Sequence, residues 1–431
     1  MGCTKPRNDY RIFSTNPELY TQTVYQLNNV VMHDNFTPPV ANRNYTYANI
    51  AAYECIAAGY PDRFASLAGQ LKDLGKLPEP KNRSEIDFEF AAVLAFCKVG
   101  VELTFSEDRL KRYVDNVKMK ADEAGMPSHI IEATEKFASE ISEAILAWSK
   151  EDNYHQTRSS PKYSITNEPG KWSPTPPMYA DAIEPAWNQI RTMVMDSANH
   201  FLAPRPLQFD MENKTSPFYT EALKIKSAIE NLTEDQKHMA DFWDDNPFKL
   251  NVKGHLSYGT KKFSPPGHWM GVIGLGAKTT GADLPATVCA YAKTSIAIFE
   301  AFIQCWDEKY RSSVARPETI INAYIDSEWT PYLQAPPFPE YTCGHTTTSA
   351  AAAESLTDVF GDNVSYTDTA ELEFGIKSRT FNSFRHAAEE NIWGRFYGGI
   401  HYHHSCIVSN ELGRKIGQYV VRKLNMEKTA D

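Results

Sequence analysis

Apolar residues recur three and four positions apart through most of the chain, while runs that alternate apolar with polar residues and close in hairpin turns are nearly absent. That spacing lines one face of a helix, so the pattern predicts a mainly α protein. Three stretches carry it most clearly. Ser84 to Val101 opens with Ser84 and Glu85 ahead of a long apolar face, and Pro127-Ser128 separates a charged helix from a second one over Ile130 to Trp148. Pro285 to Arg316 reads as one long helix stopped by Pro317. Between about Lys150 and Pro206 the chain is rich in Pro, Ser and Asn, with turn signals at Glu168-Pro169-Gly170 and Pro174-Thr175-Pro176-Pro177. This segment is expected to be a long surface excursion with one helix near Asp181 to His200.

A chain of 431 residues, 42% of them hydrophobic, can fill a substantial core. A formal net charge of -10 argues against nucleic acid as a partner, because phosphate backbones demand a basic surface. Any cluster of cations must therefore be local. The most apolar stretch, Pro285 to Trp306, is interrupted by Lys293, Glu300 and Gln304, which suits a core helix better than a membrane span. Seven cysteines, none in a CxxC pair, are too few and too scattered for a disulfide scaffold, and Cys289 and Cys305 read as core packing on one helix. Gly2-Cys3 is what a trimmed bacterial lipoprotein signal leaves behind, whereas Pro6 speaks against a myristoylation start. A periplasmic, secreted or Cys3-anchored protein is expected, with a plain cytoplasmic start as the alternative.

The polar residues of the last third are chemically specific. Lys309 and Arg316 stand seven residues apart and, on a continuous helix, share a face. Alone they describe a solvated surface. After a Pro-rich connector, Ala335 to Glu340, comes Tyr341-Thr342-Cys343-Gly344-His345, followed by TTTSAAAAESL, which reads as a helix with small residues on its packing side. Gly344 at that helix start lets backbone N-H groups and the helix dipole approach an anion. In Gly394-Arg395-Phe396-Tyr397-Gly398-Gly399-Ile400-His401 the paired glycines break a helix and let Arg395 and His401 converge. Three cations, helix-terminal N-H groups and the imidazoles of His345 and His401 are what a tetrahedral oxyanion requires, since its spread charge needs several charge-assisted hydrogen bonds at once.

This ordered set, Lys309-x6-Arg316-Pro317, then Thr342-Cys343-Gly344-His345, then Gly394-Arg395-x5-His401, resembles the signature shared by vanadium-dependent haloperoxidases, type-2 phosphatidic acid phosphatases and bacterial acid phosphatases. Phe242 to Pro247 (FWDDNP) and Ser264 to Trp269 (SPPGHW) are similar to the haloperoxidase branch and extend the likeness back to about residue 240. The resemblance implies two packed four-helix bundles forming one all-α domain over residues 1–431, with an N-terminal half at about 30–230 and a C-terminal half at about 235–425 that carries the pocket. It implies vanadate as cofactor, hydrogen peroxide and a halide as substrates, and phosphate as a vanadate analogue. His401 would bind vanadium, while Lys309, Arg316, Arg395 and the Gly344 amide hold the oxygens. His345 would be the acid/base that takes a proton from hydrogen peroxide. Trp306 and Phe338 match halide-pocket aromatics and point to iodide first and bromide second, in the manner of the bacterial iodoperoxidases.

Other readings stay open beside it. In the phosphatase relatives the same pocket holds a phosphate ester, with His401 as nucleophile and His345 protonating the leaving group. A binder without turnover is a third reading. Cys343 departs from the family Ser, Gly394 from another Ser, and Ser405 stands where relatives have an Asp that orients the histidine, which leaves His404 or a backbone carbonyl for that task. His401, His403 and His404 invite a divalent-metal reading, but on a helix His403 points away from the other two. His268 reads as a hydrogen-bonded structural residue, and His386 as either a supporting residue or a surface one.

Overall fold

The computed structural model describes residues 9–428 other than 167, 177, 248, 254 and 255, and its fold is all-α. Cys3 lies outside the described residues. Helices sort into two groups. Pro38–Gly59 packs against Phe88–Glu102 and Ser128–Ser149 in the first, with Pro17–His33 and Glu107–Glu123 beside them. In the second, Gly344–Phe360 packs against His403–Lys423, Leu284–Ser312, Phe384–Tyr397 and Pro265–Thr280. Leu284–Ser312 joins the groups by lying against Pro38–Gly59 as well, where Asn42 and Thr46 both donate to the Ser295 carbonyl, at 3.2 and 3.0 Å. One continuous hydrophobic core runs through both.

The long joining helix starts where Asp283 accepts the Ala286 N-H at 2.9 Å, with Pro285 in its first turn. Each of its buried charged side chains has a partner, whereas Thr294 Oγ1 has none among the described residues. Lys293 pairs with Asp358 at 2.7 Å, Gln304 donates to the Phe201 carbonyl at 3.1 Å, and Glu300 accepts the N-H groups of Met193 and Val194. These partners let an apolar helix of this length serve as a core element. Small residues set the closest packing. A Cβ on Gly413 would sit 2.0 Å from the Thr347 carbonyl oxygen, so His403–Lys423 can lie directly on the small-residue side of Gly344–Phe360 only because Gly413 lacks one.

Several expectations need correction. The helix expected from Ser84 begins at Phe88 and is capped by Asp87, which accepts the Phe90 N-H at 2.9 Å; residues Arg83–Glu85 form only a 3-10 turn. Asp181 to His200 contains no α-helix, only the 3-10 turn Trp187–Gln189: Pro185 interrupts it, and its backbone N-H groups at 193 and 194 turn inward to Glu300. Nor is the segment a mere surface excursion, since Trp172, Trp187, Ile190, Met193 and Met195 are buried. The helix expected to run through Arg316 ends at Ser312, because Ser313 adopts a left-handed backbone with φ 51°. Two short antiparallel ribbons, Lys249–Lys253 with Leu256–Thr260 and Tyr366–Asp368 with Arg379–Phe381, had no counterpart in the sequence reading.

Candidate active site

Lys309 comes from the last turn of Leu284–Ser312, while Arg316 lies beyond the helix end, as the residue preceding helix Pro317–Tyr324. The two therefore converge through the Ser313 turn and not through a shared helical face. That turn is held on both sides: Trp172 N-H donates to the Ser313 carbonyl at 2.8 Å, and Glu340 N-H to the Val314 carbonyl at 2.9 Å. Lys309 Nζ donates to the carbonyls of Pro339 (2.8 Å), Glu340 and Thr342. Arg316 Nε donates to the Phe338 carbonyl at 3.0 Å, and its Nη1 to the Ile400 carbonyl at 2.9 Å and to His401 Nε2 at 3.0 Å. The connector at 335–340 thus orients both cations with its backbone and stacks Phe338 against them, at 4.9 Å from Lys309 Nζ and 5.1 Å from the Arg316 guanidinium.

His401 sits on the bend between helices Phe384–Tyr397 and His403–Lys423, where Gly399 has φ 77°. The paired glycines do what their sequence implied. Its Nδ1 faces Glu340 Oε1 at 2.8 Å, and Glu340 Oε2 accepts from the Ser405 hydroxyl at 2.9 Å. Because Arg316 can only donate, Nε2 carries the lone pair and Nδ1 the proton, which aims Nε2 at the cations. The orienting group is therefore Glu340. His404 does not orient the ring, and its backbone N-H goes to Glu221. Ser405 acts through the same carboxylate. His403 Nδ1 faces Lys224 at 2.9 Å, and His386 is exposed.

Arg395, on helix Phe384–Tyr397, donates through Nη1 to the carbonyls of Trp243 and Asp244. His345 Nε2 donates to that same Asp244 carbonyl at 3.2 Å, leaving Nδ1 as an acceptor. FWDDNP is thus the backbone cradle for one cation and one imidazole. Gly344 opens Gly344–Phe360 with no side chain capping it, and a Cβ there would lie 3.4 Å from the Trp306 ring. Trp306 packs on Phe338 at 5.2 Å, with its Nε1 committed to the Ile183 carbonyl.

Electrostatically the site is a buried excess of positive charge. Burial pulls Lys309 down to about 8 and Arg316 down to about 10. Burial, with Arg395 adding to it, holds His345 well below the ordinary imidazole range. Cys343 behaves differently: burial pushes its thiol up, but Cys406, His401 and Arg395 together outweigh that and hold it well below the ordinary thiol range. Burial and Cys343 push Cys406 well up. Arg316 Nη2 and Arg395 Nε have no partner among the described residues. Buried guanidinium N-H groups left unengaged beside an uncapped helix start and an aimed imidazole fit a tetrahedral oxyanion, which supplies the missing acceptors.

All the pocket residues expected from the sequence, Trp306, Lys309, Arg316, Phe338, Cys343, Gly344, His345, Arg395 and His401, are buried at this one place. Missed were Glu340, Cys406, Ser409 (which accepts the Cys343 N-H at 2.8 Å) and the Trp243 and Asp244 carbonyls. A lone carboxylate inside a Pro-rich connector, next to a cation-rich motif, was the available signal for Glu340.

Residues 323–428 match the VCPO second helical-bundle domain. The crystal structure of the first bacterial vanadium-dependent iodoperoxidase is similar over 99% of this chain and 100% of that one, with TM-score 0.91 and 40% sequence identity. Holo- and apo-type crystal structures of a bacterial vanadium-dependent chloroperoxidase share the fold, with TM-scores of 0.62 and 0.64 at 15% and 16% identity; each match covers 90% of this chain, and 93% and 95% of theirs. No curated protein sequence matches the chain.

Proposed function

The chain belongs to the vanadium-dependent haloperoxidases, and from that premise we propose that it oxidises iodide in preference to bromide, using hydrogen peroxide and a vanadate held by Lys309, Arg316, Gly344, Arg395 and His401. It is an enzyme. The observation that carries the halide choice is the wall formed by Trp306 and Phe338, packed on each other at 5.2 Å, with the Phe338 ring 4.9 Å from Lys309 Nζ. An apolar wall favours the larger, more weakly hydrated halide, and the iodoperoxidase at 40% identity points the same way.

When bound, vanadate supplies a Lewis-acidic V(V) centre that makes peroxide electrophilic toward a halide. His401 presents Nε2 as the ligand, and Glu340 fixes its tautomer and ring angle. Lys309, Arg316 and Arg395 neutralise the oxygens, and phosphate binds there as an analogue. His345 stays neutral because burial and Arg395 depress it, so its Nδ1 takes the proton that hydrogen peroxide gives up. Comparing kcat/KM for iodide and bromide in vanadate-loaded wild type and Phe338→His tests the proposal. Iodide should be favoured in the wild type, and Phe338→His should shift the ratio toward bromide; equal kcat/KM for both halides in the wild type would sink it.

A further inference from the structure

Beneath the oxyanion pocket, three elements bring a second chemical cluster together. Asp245 lies in the turn after helix Glu234–Phe242, His268 on helix Pro265–Thr280, and Glu371 just before the 3-10 turn Leu372–Phe374. All three are buried, and one ligand atom from each lies within 4.8 Å of the others. His268 is engaged at both nitrogens, by Asp245 at 2.9 Å from Nδ1 and by Asp368 at 3.0 Å from Nε2. Glu371 is only 1% exposed, yet neither of its carboxylate oxygens has a partner among the described residues. The imidazole accounts for two carboxylates and leaves this third one unanswered. Lys262, a neighbouring cation, is turned to Asp244 at 3.4 Å.

From this geometry we infer a second metal site, in which Asp245, His268 Nδ1 and Glu371 bind a divalent transition-metal ion of the zinc or manganese type. Buried carboxylate oxygens without a hydrogen-bond donor are what such an ion satisfies. Two bonds of about 2.1 Å meeting at about 90° subtend about 3 Å, close to the 2.9 Å between His268 Nδ1 and Asp245. Asp368 occupies the position of the outer carboxylate that holds a ligating imidazole by its other nitrogen, and it is fixed in turn by the Ala370 N-H at 3.0 Å. The mixed nitrogen and oxygen donor set disfavours calcium and magnesium, which take oxygen ligands. Trp243 stacks on the His268 ring at 5.0 Å, and Phe242 meets its edge, which gives the site an apolar shell. On binding, the ion replaces the Nδ1 proton, which leaves to solvent, and no redox change is involved.

Such an ion acts on the catalytic pocket through one turn. Asp245 has φ 40°, an unfavourable backbone for a non-glycine residue, and the two residues before it supply the carbonyls that hold Arg395 and His345. The ion pins that turn.

The test uses the full-length protein in buffer free of phosphate and vanadate. Metal content is measured by mass spectrometry, and Tm is followed as zinc, manganese or calcium is added back after chelation. We expect about one equivalent of zinc or manganese in the wild type, and a Tm that falls on chelation and returns with either ion but not with calcium. Glu371→Gln, of nearly the same shape, should lose both the metal and the Tm response. Asp368→Asn should weaken metal affinity about 10–100-fold, and it carries the test if Glu371→Gln does not fold. A wild type that holds no metal and shows no Tm response to zinc or manganese overturns the assignment, as does a folded Glu371→Gln that keeps its metal.

Discussion

Lys309 makes the pocket's affinity for oxyanions depend on pH in a way that one substitution isolates. Burial lowers this ammonium from 10.5 to about 8 in the free pocket, so above that pH a proton must be taken up before the full charge meets the anion. The protonated fraction is roughly one half at pH 8 and roughly one tenth at pH 9, which weakens binding about tenfold at pH 9. Vanadate also changes protonation in this range, so the informative quantity is the ratio of the Kd of Lys309→Met to that of the wild type, in which the ligand's own titration cancels. Loss of one charge-assisted hydrogen bond costs about 1.5–3 kcal/mol, so the ratio should be about 10–150 at pH 7. It should then fall roughly tenfold by pH 9, as the wild type loses the charge the variant never had. Fold stability runs the other way. A lysine whose folded pKa lies below its unfolded value adds stability as pH rises from about 8 toward 10.5, because the unfolded chain holds the proton longer. Calorimetric titration from pH 7 to 9.5 reads the ratio directly. A large ratio that stays constant across that range would refute a Lys309 titrating near 8, and a ratio near one at pH 7 would remove Lys309 from the site.

Four further substitutions separate roles inside the pocket. His401→Ala should abolish vanadate binding, whereas His345→Ala should keep most binding and lose about 10²–10⁴-fold in kcat; equal loss of binding in both would contradict the division between ligand and base. Cys343→Ser replaces a readily deprotonated, oxidisable thiol, which as a thiolate offers the anion no proton, by a neutral hydroxyl donor, so vanadate should bind about 2–10-fold more tightly and activity should last longer under peroxide. No gain would mean the pocket has adapted to the thiol, with Cys406 and Ser409 as the adapting residues. Glu340→Ala strips the acceptor from His401 Nδ1, Tyr402 N-H and the Ser405 hydroxyl, so turnover should fall at least about 10–100-fold and Tm should drop as well; unchanged turnover would show that the carboxylate does not set the ring.

The pocket was legible because its parts are residue types that rarely gather without a reason. Buried lysine, arginine and histidine near a glycine-started helix make a chemical pattern that survives ignorance of the path between them. That path was misread at one point. Their spacing places Lys309 and Arg316 on one continuous helix, but the left-handed Ser313 ends it and a connector holds Arg316 in place through the Phe338 carbonyl. Helical periodicity says where a face lies but not where a polar residue such as Ser313 will leave it. The segment at 150–206 misled for a related reason. Its Pro, Ser and Asn content reports an irregular backbone, which need not be exposed, and Glu300 satisfies that backbone from a helix more than a hundred residues away in sequence. Glu340 and the Asp244 carbonyl were invisible because orienting contacts depend on which loops meet. His268 is hydrogen-bonded, as its sequence context implies, but its partners Asp245 and Asp368 lie 23 and 100 residues from it.

The most direct measurement is oxidation of iodide by hydrogen peroxide, using protein freed of vanadate and then assayed with and without added orthovanadate, beside hydrolysis of a simple phosphate ester. The account predicts triiodide formation that requires vanadate and is suppressed by phosphate, with ester hydrolysis negligible. Ester hydrolysis inhibited by vanadate, in the absence of iodide oxidation, would contradict it.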